Sequence, residues 1–215
     1  MEGRKFCGKM MRQSKTTSTS QYETAVTNTW DERYDKEGSS LNEPASFLKE
    51  HIHRLPLGKA LDLAMGTGRN AIFLAMNGYE VDGIDFSEVA VKKVKARAKR
   101  KSLAIHSLQA DLTHYRIAEN SYDLIVNLYF LERTLFPQIK EGLREGGMIL
   151  FETYTIEQPR YGRPHNPDHL LKPNELIHRF SDFHIIYYHE RVDEGEEGPK
   201  AIASLLAQKG KGVKP

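Results

Sequence analysis

The stretch "LDLAMGTGRNAIFLA", residues 61–75, decides the fold of this chain. Its apolar start is typical of a buried strand, the glycines that follow predict a tight turn, and the alanine-rich end predicts an amphipathic helix. Glycines let a backbone approach a ligand closely, and the N-terminus of a following helix attracts negative charge. We therefore predict a strand–turn–helix unit that binds a ligand at its turn.

Similar units follow, in which strand-like segments alternate with helical patterns. Gly78 is placed to end the first of these helices and Ser87 to cap the second, while Gly146 and Gly147 are expected to stop the third. This alternation predicts a doubly wound α/β fold, with a parallel sheet covered on both faces. The predicted strands are 59–64, 79–85, 103–110, 122–130 and 148–155, and the helices between them are 70–77, 88–100 and 133–144.

The later part of the chain breaks this alternation. A short predicted helix over 174–180 leads into two strand-like segments, 183–192 and 201–208. The polar turn "DEGEEGPK", residues 193–200, is too short to contain a crossover helix, so the two segments are predicted to form an antiparallel hairpin. The expected sheet therefore has seven strands, of which five are parallel and two form the closing hairpin.

Two short helices are predicted ahead of the sheet, over 22–34 and 43–54. Asn42 is expected to cap the second helix, with Pro44 in its first turn. Both helices belong to a segment, 21–56, that we expect to cover the ligand site.

The domain organisation follows from where polar tails begin and end. Residues 1–20 are polar and basic, which predicts a flexible tail, with a transit peptide as the alternative. A single domain is expected over 21–210, followed by a second short tail over 211–215.

Composition narrows the partners and the compartment. The 215 residues carry a formal net charge of +2, which points to neither nucleic acid nor a membrane as a partner. The single cysteine, Cys7, excludes a disulfide within the chain and a cysteine-rich zinc site, and we expect no bound metal. It also suits a reducing compartment, so a cytoplasmic location is expected.

The glycine turn and one acidic residue predict the class of ligand. Residues 66–71 match the pattern G-x-G-x-x-G/A, and Asp85 ends the second predicted strand, where a carboxylate can accept hydrogen bonds from a ribose diol. These features predict an adenosine-bearing cofactor without separating NAD from S-adenosylmethionine. Asp62 lies inside a strand that dinucleotide folds usually keep apolar. Asp62, the acid at Asp111 and the closing hairpin together favour S-adenosylmethionine over NAD.

At this point the chain resembles the class I S-adenosylmethionine-dependent methyltransferases. The residues that carry the resemblance are "ALDLAMGTGRNAIFLA" (60–75), "GIDFS" (83–87), "QADL" (109–112), "YDLIVNLYFLER" (122–133) and "LREGGMILFETY" (143–154). Within that class, "GRNAIFLAMNGYEVDGID" (68–85), "FLE" (130–132) and "AIASLLAQKG" (201–210) look like the tellurite-resistance methyltransferase family. The resemblance covers residues from about 28 to 210 and implies a Rossmann-like methyltransferase that uses S-adenosylmethionine.

The family pattern also implies roles for individual residues. Gly66 and Gly68 would lie under the methionine moiety, Asp85 would hold the ribose hydroxyls, and Phe86 would pack on the adenine. Asn127 would face the methionine amino group. "WDERY", residues 30–34, is similar to a cofactor-covering helix, although Trp30 could instead simply pin a helix to the core. The full predicted cofactor-binding set is Trp30, Arg33, Asp62, Ala64, Gly66, Gly68, Asn70, Asp85, Phe86, Asp111, Leu112 and Asn127.

Two positions depart from the family pattern. Ala64 replaces the first glycine of the usual G-x-G-x-G, which is tolerable if its φ is negative. The turn before the last strand, "DEGEEG" at 193–198, is acidic where members that act on oxyanions are expected to carry basic residues. The acceptor is therefore left open among thiol, oxyanion and carboxylate types.

Acceptor recognition is expected in the loop after the fifth strand. Methyl transfer from a sulfonium mainly needs alignment and exclusion of water, so a general base is optional. The predicted acceptor-binding residues are Tyr154, Arg160, Arg163 and His165. His165 and His169 alone make a weak metal signal.

We therefore expect a small-molecule methyl acceptor as partner and a monomer or homodimer. The alternatives are a nucleic-acid or protein methyltransferase, and a non-catalytic protein that binds S-adenosylmethionine. An NAD-dependent oxidoreductase is disfavoured by Asp62 and by the closing hairpin.

Overall fold

The computed structural model describes residues 30–35, 43–195 and 198–210. Both expected tails and the cap at Asn42 lie outside these residues. The helices are α1 (30–35), α2 (Ser46–His51), α3 (Arg69–Met76), α4 (Glu88–Lys101), α5 (Leu135–Gly142) and α6 (Glu175–Arg179). The strands are β1 (Lys59–Leu63), β2 (Glu80–Asp85), β3 (Ile105–Gln109), β4 (Tyr122–Leu128), β5 (Leu143–Tyr154), β6 (His184–Gly195) and β7 (Gly198–Gln208).

The strands form one sheet in the order β3-β2-β1-β4-β5-β7-β6. Strands β1 to β5 pair in parallel, while β7 runs antiparallel to both β5 and β6. The predicted doubly wound sheet with a closing hairpin is therefore confirmed. The strand order reverses between β1 and β4, and in such sheets ligands bind beyond the carboxyl ends of the strands at this switch point.

Both faces of the sheet are covered, as the apolar central strands require. Leu61 and Leu63 of β1 pack into one hydrophobic cluster and Ala60 into the other. Because alternate residues of a strand point to opposite faces, these two clusters lie on the two sides of the sheet. The core therefore fixes β1, and with it the turn that follows.

The predicted caps of α3 and α4 are present. The Ser87 hydroxyl accepts a hydrogen bond from Ala90 N at 3.1 Å, which caps α4. Gly78 follows α3 with φ +91°, a conformation that suits glycine. The N-terminus of α2 differs from the prediction: Ala45 is its N-cap residue, so Pro44 precedes the helix instead of lying in its first turn.

The third predicted helix and the fifth strand have different bounds from those expected. Helix α5 ends at Gly142, and Leu143 already pairs with Tyr122, so Gly146 and Gly147 lie inside β5 and do not stop a helix. Gly147 is packed tightly, since a Cβ there would lie 2.9 Å from Arg144 O. The glycine pair accompanies a bulge in the β4–β5 pairing, which the helix-stop interpretation missed.

The closing hairpin is longer than predicted. Asp193 pairs with Lys200, and the ladder extends to Gly195 and Gly198. This brings Lys200 into a strand and not into a polar turn. Within the described ranges, no helix is long and apolar enough to cross a membrane.

Candidate functional site

The glycine turn after β1 is packed against helix α4. Gly66 and Gly68 have φ values of +54° and +79°, in the left-handed region. A Cβ at Gly68 would lie 2.5 Å from Val94 Cγ2. Glycine is therefore required at position 68 both for its backbone conformation and for the close approach of α4.

Ala64 does not have the negative φ expected of it; its φ is +52°. The chain leaves β1 in a turn that brings Met65 N to Ile84 O at 3.0 Å. This backbone hydrogen bond to β2 accompanies the left-handed conformation at Ala64, which costs a non-glycine residue about 1 kcal/mol or more. A glycine would adopt this conformation without that cost, so this chain forms the turn with a strained alanine.

Asp85 at the end of β2 is hydrogen-bonded to the glycine turn. Its Oδ2 accepts Gly66 N at 2.8 Å, and its Oδ1 accepts Ser87 N at 2.9 Å. Burial raises the pKa of the Asp85 carboxyl and the nearby Asp31 adds to the increase, while the bonds from Ser87 and Gly66 oppose it. The carboxylate is thereby held in one orientation beside the turn.

Asp62 is a second buried carboxyl at this end of the sheet. It is 1% exposed, and its Oδ2 has no hydrogen-bond partner among the residues that the structure describes. Its pKa is raised from 3.8 to about 7, chiefly by burial and in addition by the charge of Asp85, while the Ala71 backbone N–H and Arg69 act in the opposite direction. An unsatisfied carboxylate oxygen is costly inside a protein, and no group in the described part of the chain donates to this one.

A cavity of about 210 Å³ opens beside the turn. Four aromatic side chains and three cationic ones line it, and no acidic residue of the described segments does so. The lining residues are Trp30, Arg33, Tyr34, Ala64, Met65, Gly66, Thr67, Arg69, Asn70, Leu128, Tyr129, Tyr154 and Lys200.

Helix α1 covers this cavity. The Trp30 ring lies 5.6 Å from the Tyr34 ring and 4.9 Å from the Arg33 guanidinium carbon. Lys93 Nζ donates to Tyr34 O, and Ser87 Oγ donates to Asp31 Oδ1. These bonds to α4 and to its cap hold α1 over the glycine turn, so Trp30 and Arg33 face the cavity and do not merely pin a helix to the core.

Seven of the predicted cofactor residues lie outside the cavity lining: Asp62, Gly68, Asp85, Phe86, Asp111, Leu112 and Asn127. Asn127 is buried and donates to Phe130 O at 2.7 Å. Asp111 Oδ1 accepts bonds of 2.8 Å from Thr113 N and from Thr113 Oγ1. Burial opposes ionisation of Asp111, but these bonds and His114 leave the pKa of Asp111 lowered.

The predicted acceptor-binding residues are separated by the structure. Tyr154 lines the cavity, with its ring 5.5 Å from that of Tyr129. Arg160 pairs with Glu157 at 2.5 Å on the surface of the loop, and Arg163 and His165 are exposed there. The structure therefore brings one of the four to the cavity.

The sequence analysis missed seven lining residues: Tyr34, Met65, Thr67, Arg69, Leu128, Tyr129 and Lys200. Arg69 lies inside the glycine motif and Tyr129 directly follows β4, so their positions next to motif residues were available as signals. Lys200 gave no such signal, since its position depends on the extra length of the hairpin.

A second depression, of about 460 Å³, surrounds an ion pair that anchors the loop after β5. Arg133 Nε and Nη2 donate to the two carboxylate oxygens of Glu175 at 2.8 and 2.9 Å. The same guanidinium donates to Asp168 O and Leu170 O, both at 2.8 Å. Arg133 therefore joins the segment after β4 to the end of the loop and to α6.

Comparison with known proteins agrees with this arrangement. The family model described as Tellurite resistance protein TehB matches residues 28–199. Hemagglutinin 1 of Eikenella corrodens is 31% identical over 157 residues, which cover 68% of this chain and 51% of that protein. The probable S-adenosyl-L-methionine-dependent methyltransferase TehB of Haemophilus influenzae is 29% identical over 167 residues, 70% of this chain and 57% of that protein. The matched regions thus span little more than half of these relatives.

Solved structures show the same fold. The crystal structure of TehB from Haemophilus influenzae has a TM-score of 0.68 at 24% identity, covering 84% of this chain and 67% of that one. The [4+2]-cyclase SpnF has a TM-score of 0.60 at 16% identity, covering 93% of this chain and 85% of that one. The fold therefore carries more than one chemistry, and the family match is the more specific finding. Because the model of that family matches most of its length, this chain belongs to the TehB tellurite resistance protein family.

Proposed function

We propose that this protein is an S-adenosylmethionine-dependent methyltransferase that acts on a small-molecule acceptor of thiol, oxyanion or carboxylate type. The observation that carries the proposal is the hydrogen bond from Gly66 N to Asp85 Oδ2, which lies where the strand order of the sheet reverses. The match of the chain to the TehB family model adds to it. Its single cysteine suits a reducing compartment, and we propose that it works in the cytoplasm.

The residues present fit this cofactor. Asp85 is oriented to accept hydrogen bonds from ribose hydroxyls, and the unsatisfied Oδ2 of Asp62 offers an acceptor for an ammonium group. Arg33, which α1 brings to the cavity, suits the carboxylate of the methionine moiety. Phe86, Leu112 and Asp111 at the neighbouring strand ends are proposed for the adenine.

When bound, S-adenosylmethionine would supply a sulfonium methyl group, which the acceptor's lone pair would take while the electron pair of the carbon–sulfur bond remained on sulfur. The protein's part is to align the acceptor and to exclude water. Helix α1 covers the turn and the aromatic residues line the cavity, which supports this role.

The charge of the cavity favours an acceptor that is anionic or that reacts as an anion. Its lining holds three cations and, among the described residues, no acid. We propose Tyr154, Arg69 and Lys200 as acceptor contacts. The exposed loop after β5 is proposed to contact the acceptor as it approaches the cavity, through Arg160, Arg163 and His165.

The test is transfer of a tritiated methyl group from S-adenosylmethionine to thiophenol, 2-mercaptoethanol, selenite and benzoate, with the products identified by mass spectrometry. Methylation of at least one of these probes supports the proposal. Cofactor binding without transfer to any of them would instead favour a non-catalytic binding protein. Transfer to tRNA alone, with strong salt dependence, would favour a nucleic-acid methyltransferase.

A further inference from the structure

Tyr129 connects the cavity to a carboxylate buried inside the sheet. Its ring lines the cavity and lies 5.7 Å from the Arg69 guanidinium carbon and 5.7 Å from Lys200 Nζ. Its hydroxyl donates to Glu152 Oε1 at 3.0 Å. Glu152 is on β5, is 2% exposed and does not line the cavity. Tyr129 therefore lies between the cavity, where the acceptor is proposed to bind, and the Glu152 carboxylate, which can accept a proton.

The position of Tyr129 is held by one residue at two points. Its backbone N donates to Glu152 O at 2.7 Å, while its hydroxyl bonds the carboxylate of the same residue. Tyr129 has φ +59°, a conformation that is unfavourable for a bulky residue and is found chiefly where the surroundings enforce it. The two bonds to Glu152 thus hold Tyr129 in a strained conformation at the end of β4, next to the cavity.

Glu152 has the hydrogen bonds of an ionised carboxylate. Its Oε2 accepts Ser204 Oγ at 2.6 Å and lies 3.6 Å from Arg191 Nη2, and Arg191 Nη1 donates to Ser204 Oγ at 2.7 Å. Burial raises the pKa of Glu152 and Asp193 adds to this, while the bonds from Ser204 and Tyr129 and the charge of Arg191 act against it. A buried carboxylate of raised pKa is a better base than an exposed one.

We propose that Tyr129 is a catalytic residue that removes the proton of a neutral acceptor and passes its own proton to Glu152. This inference rests on the proposed methyl transfer. The acceptor's X–H bond breaks and its proton bonds the Tyr129 oxygen, while the Tyr129 O–H bond breaks and that proton bonds Glu152 Oε1. The electron pair of the X–H bond stays on X and attacks the methyl carbon. Glu152 ends as a carboxylic acid and returns the proton to solvent after the product leaves.

The charged groups around Tyr129 and Glu152 are compatible with this proton transfer. Arg69 and Lys200 face the Tyr129 ring from α3 and β7, and the ring of Tyr154 approaches it from β5. Burial and the Glu152 carboxylate both raise the pKa of Tyr129, while Arg69 lowers it. A stable tyrosinate is therefore disfavoured, so Tyr129 relays a proton without storing the charge.

Two thiols that differ in acidity test the proposal. Thiophenol is ionised at neutral pH and needs no base, whereas 2-mercaptoethanol is mostly protonated. We expect Tyr129→Phe and Glu152→Gln each to lower kcat/KM for 2-mercaptoethanol by about a hundredfold, which is typical of general-base catalysis, and to change the value for thiophenol less than about fivefold. Raising the pH is expected to restore turnover of 2-mercaptoethanol in both variants. Equal losses for the two thiols, or no loss, would overturn the proposal.

A matched control and a direct measurement complete the test. Tyr122 at the other end of β4 bonds Asp82 Oδ2 at 2.9 Å, so Tyr122→Phe removes a similar tyrosine–carboxylate bond away from the cavity and is expected to leave the ratio of the two thiols unchanged. The infrared difference spectrum between wild type and Glu152→Gln at neutral pH is expected to show an ionised carboxylate. A carboxylic acid band there would overturn the proposal, since Glu152 could accept no proton.

The outcome also separates this inference from the proposed function. A wild type that binds S-adenosylmethionine but methylates neither thiol would overturn the proton relay. Failure to bind S-adenosylmethionine at all would overturn the proposed function itself. In all of these measurements, the affinity of the variants for S-adenosylmethionine, followed by calorimetry, is expected to equal that of the wild type.

Discussion

Gly66 donates its backbone N–H to Asp85 Oδ2 at 2.8 Å, so the turn after β1 and the end of β2 form one unit. This bond fixes the carboxylate beside a turn whose backbone is left-handed at Gly66 and Gly68. Asp85, proposed to bind the ribose of S-adenosylmethionine, and Gly66, proposed to lie under its methionine moiety, therefore fix each other's position.

Gly68→Ala is expected to lower the free energy of unfolding by about 2–4 kcal/mol, because the left-handed φ and the contact with Val94 both oppose a Cβ. Gly146→Ala is the matched control: its φ is +81°, and nothing lies within 4 Å of the added Cβ. It should cost only about 1–2 kcal/mol. Urea unfolding measures both values, and equal losses would show that α4 does not press on the turn.

Ala64→Gly is expected to leave the free energy of unfolding unchanged or to raise it by up to about 1 kcal/mol, because relief of the left-handed strain offsets the added chain entropy. Ala60→Gly in the same strand is the control. Ala60 is 0% exposed and has an ordinary φ, so its substitution should cost about 1 kcal/mol or more. A loss at position 64 as large as that at position 60 would contradict the strain.

Asp62 is expected to make stability depend on pH, since its pKa is raised from 3.8 to about 7. Between these values the unfolded chain has lost this proton and the folded chain still holds it. The free energy of unfolding therefore falls as the pH rises through this window, and it is level above it. Asp62→Asn should remove this part of the fall, on the order of a few kcal/mol. Parallel pH profiles for wild type and variant would contradict the raised pKa.

The ion pair that anchors the loop after β5 is tested by Arg133→Ala. This change leaves the carboxylate of Glu175, which is 9% exposed, without its two strong donors and is expected to cost about 2–3 kcal/mol. Arg144 pairs with Asp123 at 2.6 Å in a more exposed place, so Arg144→Ala should cost less than about 1 kcal/mol. Similar costs, measured by thermal or urea unfolding, would show that the anchor adds nothing beyond a surface ion pair.

Much of the fold could be predicted from the sequence because its signals are local. Ser87 caps α4 through its own hydroxyl, and the short link before β7 leaves no room for a crossover helix. The glycine pair at 146–147 misled, because glycines serve a bulge within a strand as well as a helix end.

The site was predicted in part, for a similar reason. Asp85 and Gly66 lie together because both follow strands that are neighbours in every doubly wound sheet. Lys200 reaches the cavity because the hairpin extends by three residue pairs beyond the predicted strands, and Tyr129 does so through a backbone conformation that Glu152 and the packing impose. Arg163 and His165 show the converse, since a loop rich in arginine and histidine need not turn them inward. Such features depend on tertiary contacts and not on local pattern.

The central claim, that this turn binds S-adenosylmethionine, is tested most directly by calorimetric titration of the wild type and of Asp85→Ala, with NADH as a parallel ligand. Asp82→Ala provides a control, because Asp82 is on the same strand but bonds Tyr122 and Lys59 instead of the turn. We predict binding of S-adenosylmethionine by the wild type and by Asp82→Ala, and at least about tenfold weaker binding by Asp85→Ala, equivalent to about 1.4 kcal/mol. Binding of NADH alone, or equal affinity of all three proteins for S-adenosylmethionine, would contradict the account.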